Sequence, residues 1–493
     1  MKENETDGYK SAFKATALFG GVQVFTILVK LVKSKIIALI MGATGFGVLS
    51  LYVTLSELLS YTTNLGLQSS AVRDYSVANA SGDLTELSQK KTAIRRWIAV
   101  TSVMGAIITF LFAQNLSIWM FDSPNYKNGI RILSIVVFLM GVYNGQYAYL
   151  QGIRKIKDLA KANVIGAVAS LLFSLPFYFI LKEDGIIWSL VITAVITTIV
   201  STYYCSRYPQ KRIAQNYKQS FNIGINTVKL GIAMSLGTLS GTFVAFIIRS
   251  IVVRYGGIED VGLYQAGCTI NVSYLGLVFT AIAKDYFPRL SAMKDLEHMK
   301  KTANEQAEIA ILLLAPMIIM MIVFLKPIIV VLFTEEFCVV LPMIELMLLG
   351  SLVKAGSWDL SYILLAKGNS KLFLFSELGV YIVIIPIYYF LYLKLGLLGL
   401  GYAYFLHQTI SFLWVGLTAQ YAYNIHYSKE FWKLFTVFLS VIALFIFLRP
   451  KLGLIGYALD VFVLVVILWY TYIEFSKRVN ILDFFKRKSH GQK

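Results

Sequence analysis

The sequence is poor in the charged residues that normally cover a protein in water. Only 15% of its 493 residues are Asp, Glu, Lys or Arg, whereas 57% are apolar. An average soluble domain is about 25% charged and about 45–50% apolar. A soluble chain with this excess would expose large apolar patches and aggregate. The composition therefore excludes an ordinary soluble enzyme, a secreted disulfide scaffold and a disordered chain, and it predicts a polytopic membrane protein.

Residues that usually carry catalysis or bind metals are also scarce. The chain has four histidines and three cysteines, and Cys205, Cys268 and Cys338 lie far apart. This spacing fits neither a metal site nor a disulfide framework. The sequence has no glycine-rich phosphate loop and no recognisable pair of nucleophile and base. These absences predict a protein that is not an enzyme and that has no metal, no cofactor and no ATP-binding module.

Fourteen continuous apolar stretches, which we call spans one to fourteen, are separated by short polar loops. Because these stretches lack the alternating polarity of a membrane barrel, they favour helices, which satisfy their own backbone groups in lipid. The predicted fold is all-α, with about fourteen transmembrane helices and no inserted soluble domain. The stretches cover residues 13–41, 46–70, 96–118, 129–151, 161–181, 185–206, 229–253, 261–283, 306–332, 340–365, 372–393, 397–423, 432–449 and 453–475.

The net charge of the chain is +18, and in a membrane protein the loops are expected to carry most of it. In a soluble protein this charge would suggest nucleic acid as the partner. In a membrane protein it is explained by cytoplasmic loops rich in Lys and Arg, so no nucleic acid is expected. A cytoplasmic N-terminus places most of the Lys and Arg residues of the loops on the cytoplasmic side. We therefore predict that both termini are cytoplasmic.

Three pairs of similar segments recur in order at a nearly constant separation of about 210 residues, which indicates an internal repeat. Each repeat contains six spans, an even number, so both halves enter the membrane in the same direction, as in transporters with parallel repeats. The predicted domains are a six-helix lobe at 1–220, a second at 221–428, and two appended helices with a basic tail at 429–493. The paired segments are 35–47 with 249–262 (Gly42 aligned with Gly256), 73–75 with 284–286, and 176–179 with 386–389.

Five of the basic residues inside predicted spans are candidates for a binding site. An ionisable group in the membrane usually faces a wet cavity or a partner. Lys30 and Lys33 share a face of span one because they are three residues apart. Lys35 is the repeat counterpart of Arg249, although Lys35 could instead extend to the lipid headgroups. Together with Lys354 in span ten, these residues predict a cationic cavity that binds phosphate, to which arginine can donate two parallel hydrogen bonds.

Three acids accompany these cations: Glu57 in span two, Asp359 in span ten and Glu377 at the start of span eleven. One interpretation is that they neutralise the intramembrane cations in buried ion pairs. The other is that one of them takes up a proton, because burial disfavours the ionised carboxylate. We hypothesise that Glu57 couples transport to protons.

Two Lys/Arg–Asp pairs lie at repeat-related helix ends on the predicted cytoplasmic side. They are Arg73 with Asp74, and Lys284 with Asp285. Adjacent opposite charges at a helix end suit a structural role. We expect local pairs that fix these helix ends, with a cytoplasmic gate as the alternative.

Several segments resemble one known family. They are KIIALIMGATGFGVLSLY, the RDYS segment after span two, the loop QGIRKIKDLAKANVIG, and LYQAGCTINVSYLGLVFTAIAKDYFPRLS. They are similar to O-antigen and polysaccharide flippases of the multidrug/oligosaccharidyl-lipid/polysaccharide exporter superfamily. The resemblance implies two six-helix lobes, with spans one, two, seven and eight lining a cationic cavity.

The same resemblance implies a cargo and a place. The cargo would be an undecaprenyl-pyrophosphate-linked oligosaccharide, moved from the cytoplasmic to the periplasmic leaflet of the bacterial inner membrane. Membrane lipids, a polysaccharide polymerase and the chain-length machinery would be the partners.

Three other functions remain open from the sequence. A flippase for the peptidoglycan lipid precursor would also have fourteen spans and a basic cavity. A cation-coupled multidrug exporter of the same superfamily would need an acidic cavity for its cationic substrates, which the basic residues of spans one and seven disfavour. An O-antigen polymerase or ligase would carry a large periplasmic loop, and the predicted outside loops are short.

Overall fold

The computed structural model describes the chain from residue 2 to residue 478 with short gaps. The backbone is described at residues 2–208, 211, 213–293, 295–367, 369–449 and 455–478. Side chains are described in the same ranges except at residues 2–20, 273, 281, 284, 285, 287, 288, 291, 292, 370, 455, 457 and 458. Every regular element within these ranges is helical, which confirms the predicted all-α fold.

The chain divides into two compact units. Unit 1 comprises Met1–Gln265 with Leu332–Thr334, and unit 2 comprises Ala266–Val331 with Glu335–Lys493. The first division falls after residue 265, whereas the lobe boundary expected from the repeat falls after residue 220. The two divisions rest on different criteria, and the predicted lobes stay a prediction.

Eight helices begin in unit 1, and eight follow. The first eight are α1 (Lys2–Thr63), α2 (Leu67–Ala80), α3 (Leu84–Leu111), α4 (Ala113–Phe121), α5 (Lys127–Gly152), α6 (Ile156–Leu181), α7 (Asp184–Ser206) and α8 (Tyr217–Cys268). The others are α9 (Gly276–Ala292), α10 (Leu296–Val323), α11 (Leu325–Leu332), α12 (Leu341–Ala366), α13 (Ser370–Leu395), α14 (Leu397–Tyr423), α15 (Lys429–Leu448) and α16 (Ile455–Arg478). Short 3₁₀ turns cover Pro124–Tyr126 and Glu335–Val340, and a π-helical segment covers Thr269–Leu275.

Two of these helices are far longer than one membrane crossing. α1 has 62 residues and α8 has 52, whereas about 20 residues cross the hydrocarbon core. Each is interrupted at one glycine, Gly42 with φ 63° and Gly257 with φ 83°. Positive φ favours glycine, which has no Cβ. The bends thus occur at related places in the two repeats, although the second lies one residue after Gly256, the glycine aligned with Gly42 from sequence.

Eleven helices within the described ranges are long and apolar enough to cross a membrane, counting the bent segments Gly21–Thr63 and Tyr217–Val272 once each. The protein is therefore a multi-pass membrane protein, as predicted. The total of fourteen crossings stays a prediction.

Glycines allow α8 to pack closely against α1 at Gly47 and against the turn between α1 and α2 at Gly66. A Cβ added to Gly47 would lie 2.1 Å from the carbonyl oxygen of Ile258, and one added to Gly66 would lie 2.0 Å from that of Gly231. Glycine at membrane helix contacts allows backbones to approach this closely. These contacts place two parts of α8, around Gly231 and around Ile258, beside the segment that carries Ser50 and Glu57.

Unit 2 is built around α12, which packs against α10, α14 and α15. Its core includes the buried residues Tyr286, Leu360, Ile363, Val415 and Ala419. The last two helices, α15 and α16, both contact α10. The helices that the sequence marks as additions to the repeat are thus packed into this unit.

Candidate anion-binding site

Arg249 is the best-defined cation of unit 1. Its Nε donates to Ser50 Oγ at 3.1 Å, and its Nη1 donates to the carbonyl oxygen of Ala245 at 3.2 Å. Its Nη2 donates to Gln265 Oε1 at 2.5 Å. The half-buried guanidinium also lies 5.9 Å from the centre of the Tyr264 ring. All three acceptors are neutral, so they orient the guanidinium without cancelling its charge.

Glu57 lies in electrostatic range of this arginine and of Lys30. Arg249 and Lys30 are the cations whose charges act on Glu57. Lys30 and Glu57 are both exposed in the structure of the isolated chain. The structure therefore brings together an arginine, a lysine and a carboxylate that the sequence places more than 20 residues apart.

Lys33 and Lys35 contact different neighbours from Lys30. The Nζ of half-buried Lys33 lies 5.6 Å from the centre of the buried Tyr178 ring of α6. The charge of Lys30 acts on Lys33, as expected for residues three apart on one helix. Lys35 donates to the carbonyl oxygen of Phe333, and the ring of Phe333 lies 5.4 Å from that of Phe46. Substrate binding by either lysine stays a prediction.

In unit 2, half-buried Lys354 lies with its Nζ 5.2 Å from the centre of the Phe279 ring. Its charge acts on Glu377 and on His407. Glu377 accepts a hydrogen bond of 3.0 Å from the hydroxyl of Tyr381. The predicted roles of Lys354 and Glu377 stay predictions, and the structure places the two side chains in electrostatic contact.

Asp359 has different surroundings from the other acids. Its side chain is completely buried, and neither carboxylate oxygen has a hydrogen-bond partner among the residues whose side chains are described. Five residues of α-helix correspond to a rotation of about 140° beyond one full turn. Asp359 therefore faces a different direction from Lys354, although the two are near in sequence.

The predicted cytoplasmic charge pairs are described only in part. Arg73 is exposed, and half-buried Asp74 accepts a hydrogen bond from the hydroxyl of Thr227 near the start of α8. This bond joins the middle of α2 to α8 inside unit 1, so Arg73 and Asp74 do not lie at a helix end. The side chains of Lys284 and Asp285 lie outside the described residues. A gating role for either pair stays a prediction.

Asp83 precedes α3 and lies outside the membrane-spanning segments. It accepts a hydrogen bond of 2.7 Å from the backbone N–H of Thr85 and caps the helix. This bond, more than any other contact, holds the pKa of the exposed carboxyl below its ordinary value.

Sequence reasoning missed an ion network around Arg449, which follows α15. Its Nη1 lies 3.1 Å from Glu345 Oε1, and its Nε lies 3.0 Å from Asp460 Oδ1. Nη1 also donates to the carbonyl oxygen of Ile322 at 3.3 Å. The network therefore joins the end of α15 to α10, α12 and α16. The sequence signal for this network was Arg449 at the end of a predicted span together with two acids, Glu345 and Asp460, within apolar helices.

A second such network lies at the other ends of α15 and α16. Arg478 Nε lies 2.8 Å from Glu308 Oε2, and its Nη1 lies 2.7 Å from Glu474 Oε2. Lys477 Nζ also lies 2.8 Å from Glu474, and the hydroxyl of Ser428 donates to Glu308 at 2.8 Å. These ion pairs could not be predicted, because Lys477 and Arg478 fall in the predicted basic tail after the last span.

The fold is that of a polytopic membrane transporter. A solved structure of the lipid II flippase MurJ in an inward closed conformation matches with a TM-score of 0.73. The match covers 94% of this chain and 99% of that one at 10% identity, so it shows the fold. Within the described ranges, no group of three or more His, Cys, Asp or Glu residues could hold a metal ion.

The family is shown by the sequence comparison. The family model of polysaccharide biosynthesis proteins matches residues 12–342, and this chain belongs to that family. A Shigella flexneri relative whose name refers to O-antigen transport is 22% identical over 73% of this chain and 86% of its own. The lipid III flippase of Escherichia coli (strain K12) is 19% identical over 76% of this chain and 90% of its own. The family resemblance inferred from sequence is confirmed.

Proposed function

We propose that this protein is a flippase that moves a lipid-linked oligosaccharide, carried on undecaprenyl pyrophosphate, across the bacterial inner membrane by alternating access. The family and the names of the relatives support this class of cargo. The observation that carries the proposal is Arg249, a membrane cation with only neutral hydrogen-bond partners. Its charge therefore stays available for an anionic ligand.

The chemistry of the cargo explains why such a cation is needed. Moving a pyrophosphate and sugar hydroxyls through hydrocarbon would strip them of hydrogen bonds at a prohibitive cost. A hydrated surface that carries Arg249 and Lys30 lowers this cost by offering charge and N–H donors. The prenyl chain can remain in lipid throughout, so only the polar head needs a path through the protein.

Transport also needs a direction and a source of energy. We place both termini in the cytoplasm, where the loops rich in Lys and Arg belong. A polysaccharide polymerase and chain-length machinery would then use the cargo in the periplasmic leaflet. Because the sequence carries no ATP-binding motif, we propose that protons drive transport through Glu57, next to Arg249 and Lys30. Unchanged transport by Glu57→Gln in proteoliposomes, with or without a pH gradient, would contradict this coupling.

Two alternatives differ from this proposal in their cargo. A cationic drug would be repelled by Arg249 and Lys30, so the site disfavours a multidrug exporter. The peptidoglycan precursor presents the same pyrophosphate and differs in its sugars. Transport of that precursor, but not of a lipid-linked polysaccharide unit, would assign the protein to the second alternative. We expect no catalytic turnover of either lipid.

The decisive experiment measures transbilayer movement of a lipid-linked oligosaccharide in proteoliposomes. We expect Arg249→Ala to reduce transport by about tenfold to a hundredfold, since charged hydrogen bonds contribute about 1.5–3 kcal/mol each. Arg254→Ala is the matched control, because Arg254 belongs to an exposed pair with Asp122 at 3.2 Å. The proposal fails if the wild-type protein moves no pyrophosphate lipid, or if both variants transport normally.

A further inference from the structure

Three polar side chains form a closed network at the candidate site. Arg249 lies on α8 before the bend at Gly257, Gln265 lies on α8 after it, and Ser50 lies on α1 after the bend at Gly42. Arg249 donates to both neutral residues, and the Ser50 hydroxyl donates to Gln265 Oε1 at 2.9 Å. We propose that Ser50 and Gln265 are positioning residues that aim the guanidinium of Arg249 at the pyrophosphate of the cargo. This inference rests on the proposed function.

The hydrogen-bond count shows what the network leaves for a ligand. A guanidinium has five N–H donors in a rigid fork. Three of them are used, one each on Nε, Nη1 and Nη2 of Arg249. Among the residues that the structure describes, one N–H therefore remains without a partner on each terminal nitrogen. Two such donors can meet two phosphate oxygens, which is the geometry that favours arginine over lysine.

The neutrality of Gln265 is as important as its position. A carboxylate there would hold the guanidinium equally well, but it would also cancel the charge that attracts the ligand. Arg449 in unit 2 shows that arrangement, with carboxylates at 3.1 Å and 3.0 Å. Gln265 supplies an acceptor of similar shape without the charge, so Arg249 is ordered and still cationic.

Ser50 helps to orient the oxygen of the Gln265 amide toward the arginine. Its buried hydroxyl accepts from Arg249 Nε and donates to Gln265 Oε1. Two donors thus converge on one amide oxygen, and the reversed amide would present its NH₂ group to both. An arginine that is already ordered loses less side-chain freedom when a ligand binds. Loss of the Ser50 hydroxyl should therefore weaken binding without removing any group that contacts the ligand.

The test uses the full-length protein in detergent and farnesyl pyrophosphate as the probe, with farnesol and inorganic pyrophosphate as comparison ligands. Binding constants and thermal midpoints are measured for each variant. We expect Gln265→Glu to keep the thermal midpoint and to weaken farnesyl pyrophosphate binding at least tenfold at pH 7.5. We expect Ser50→Ala to weaken it about threefold to tenfold, as for loss of one hydrogen bond. Ser56→Ala is the control, because the Ser56 hydroxyl bonds within its own helix to Val53 at 2.8 Å.

Two readouts separate positioning from a general loss of structure. The thermal midpoint of Gln265→Glu should stay at the wild-type value while its affinity for farnesyl pyrophosphate falls, because the introduced charge opposes the ligand and not the fold. The same relative losses should occur with inorganic pyrophosphate, since the two residues are proposed to act on the phosphates. A loss confined to farnesyl pyrophosphate would instead implicate the prenyl chain and overturn the inference.

The outcomes also separate this inference from the proposed function. If Arg249→Ala abolishes binding while Ser50→Ala and Gln265→Glu both bind like wild type, the positioning role is wrong and the function stands. If the wild-type protein binds farnesol as tightly as farnesyl pyrophosphate, recognition of pyrophosphate itself fails. Should Gln265→Glu fold poorly, Ser50→Ala against Ser56→Ala still decides the positioning role.

Discussion

Arg249 in unit 1 and Arg449 in unit 2 are the same residue type with opposite partners. Arg249 donates to a hydroxyl, a backbone carbonyl and an amide, whereas Arg449 contacts the carboxylates of Glu345 and Asp460. A buried ion pair is neutral as a whole and joins helices, but it leaves little charge for a ligand. A charge held by neutral acceptors can still attract an anion. The comparison supports the ligand-binding role proposed for the first arginine, and it indicates structural support by the second.

The largest expected effect is on the stability of unit 2. Arg449→Ala would leave two buried carboxylates without their cation, and we expect a loss of about 3–5 kcal/mol in unfolding free energy. Thermal or denaturant unfolding in detergent measures this loss. Arg254→Ala, in an exposed pair, should cost at most about 1 kcal/mol. Equal losses of unfolding free energy in Arg449→Ala and Arg254→Ala would contradict the structural role of Arg449.

The second network of unit 2 should respond less strongly. In Arg478→Ala, Glu308 keeps the hydroxyl of Ser428 and Glu474 keeps Lys477. Because these partners remain, we expect a loss of about 2–3 kcal/mol. The same unfolding assay measures it. A loss larger than that of Arg449→Ala would show that the residual partners do not compensate.

Arg249→Ala should change stability little while it reduces transport strongly. Ser50 and Gln265 still hydrogen-bond to each other at 2.9 Å when the arginine is removed. The variant also avoids the cost of placing a cation in the membrane, so we expect a change of about 1 kcal/mol or less. Unfolding and transport must be measured on the same preparation. A stability loss like that of Arg449→Ala would make Arg249 a structural residue.

The smallest effect concerns an exposed carboxylate of unit 1, Asp83, which caps α3. The pKa of Asp83 is lowered in the folded protein. The carboxylate therefore stabilises the fold above the ordinary carboxyl pKa of about 3.9, and this stabilisation is lost as the pH falls through the lower pKa of the folded state. Asp83→Ala should therefore lower the thermal midpoint slightly at pH 7 and less at pH 3. Asp83→Asn, which can still cap the helix, should show no such pH dependence. A pH-independent loss in Asp83→Ala would contradict the assigned cause.

Much of the fold could be predicted because the membrane restricts what a backbone can do. Long apolar stretches must become helices in lipid, and the breaks predicted between spans one and two and between spans seven and eight contain Gly42 and Gly257, where α1 and α8 bend. Candidate charges were found for the same reason, since an intramembrane cation is conspicuous in an apolar stretch. Lys30, Glu57 and Arg249 can therefore be recognised as candidates from the sequence alone.

The partners of those charges could not be predicted, because they depend on helix rotation and packing. Ser50 and Gln265 are ordinary polar residues in sequence and are more than 200 positions apart. Arg449 lies at the end of a predicted span, and only helix packing brings it the carboxylates of Glu345 from α12 and Asp460 from α16. Asp359 was a natural counterion for Lys354 by proximity in sequence, yet it faces another direction on the same helix.

The sequence alone determined that this is a helical membrane protein of the polysaccharide biosynthesis family with cations within its spans. Composition and hydropathy suffice for the helical membrane fold and its cations, because both depend on residue types rather than on contacts, and the family follows from the resembling segments. Only the tertiary structure decided which cations have neutral hydrogen-bond partners and which contact carboxylates. The physical reason is that a few ångströms between a guanidinium and a carboxylate, or an amide in its place, separate an ion pair from a binding site.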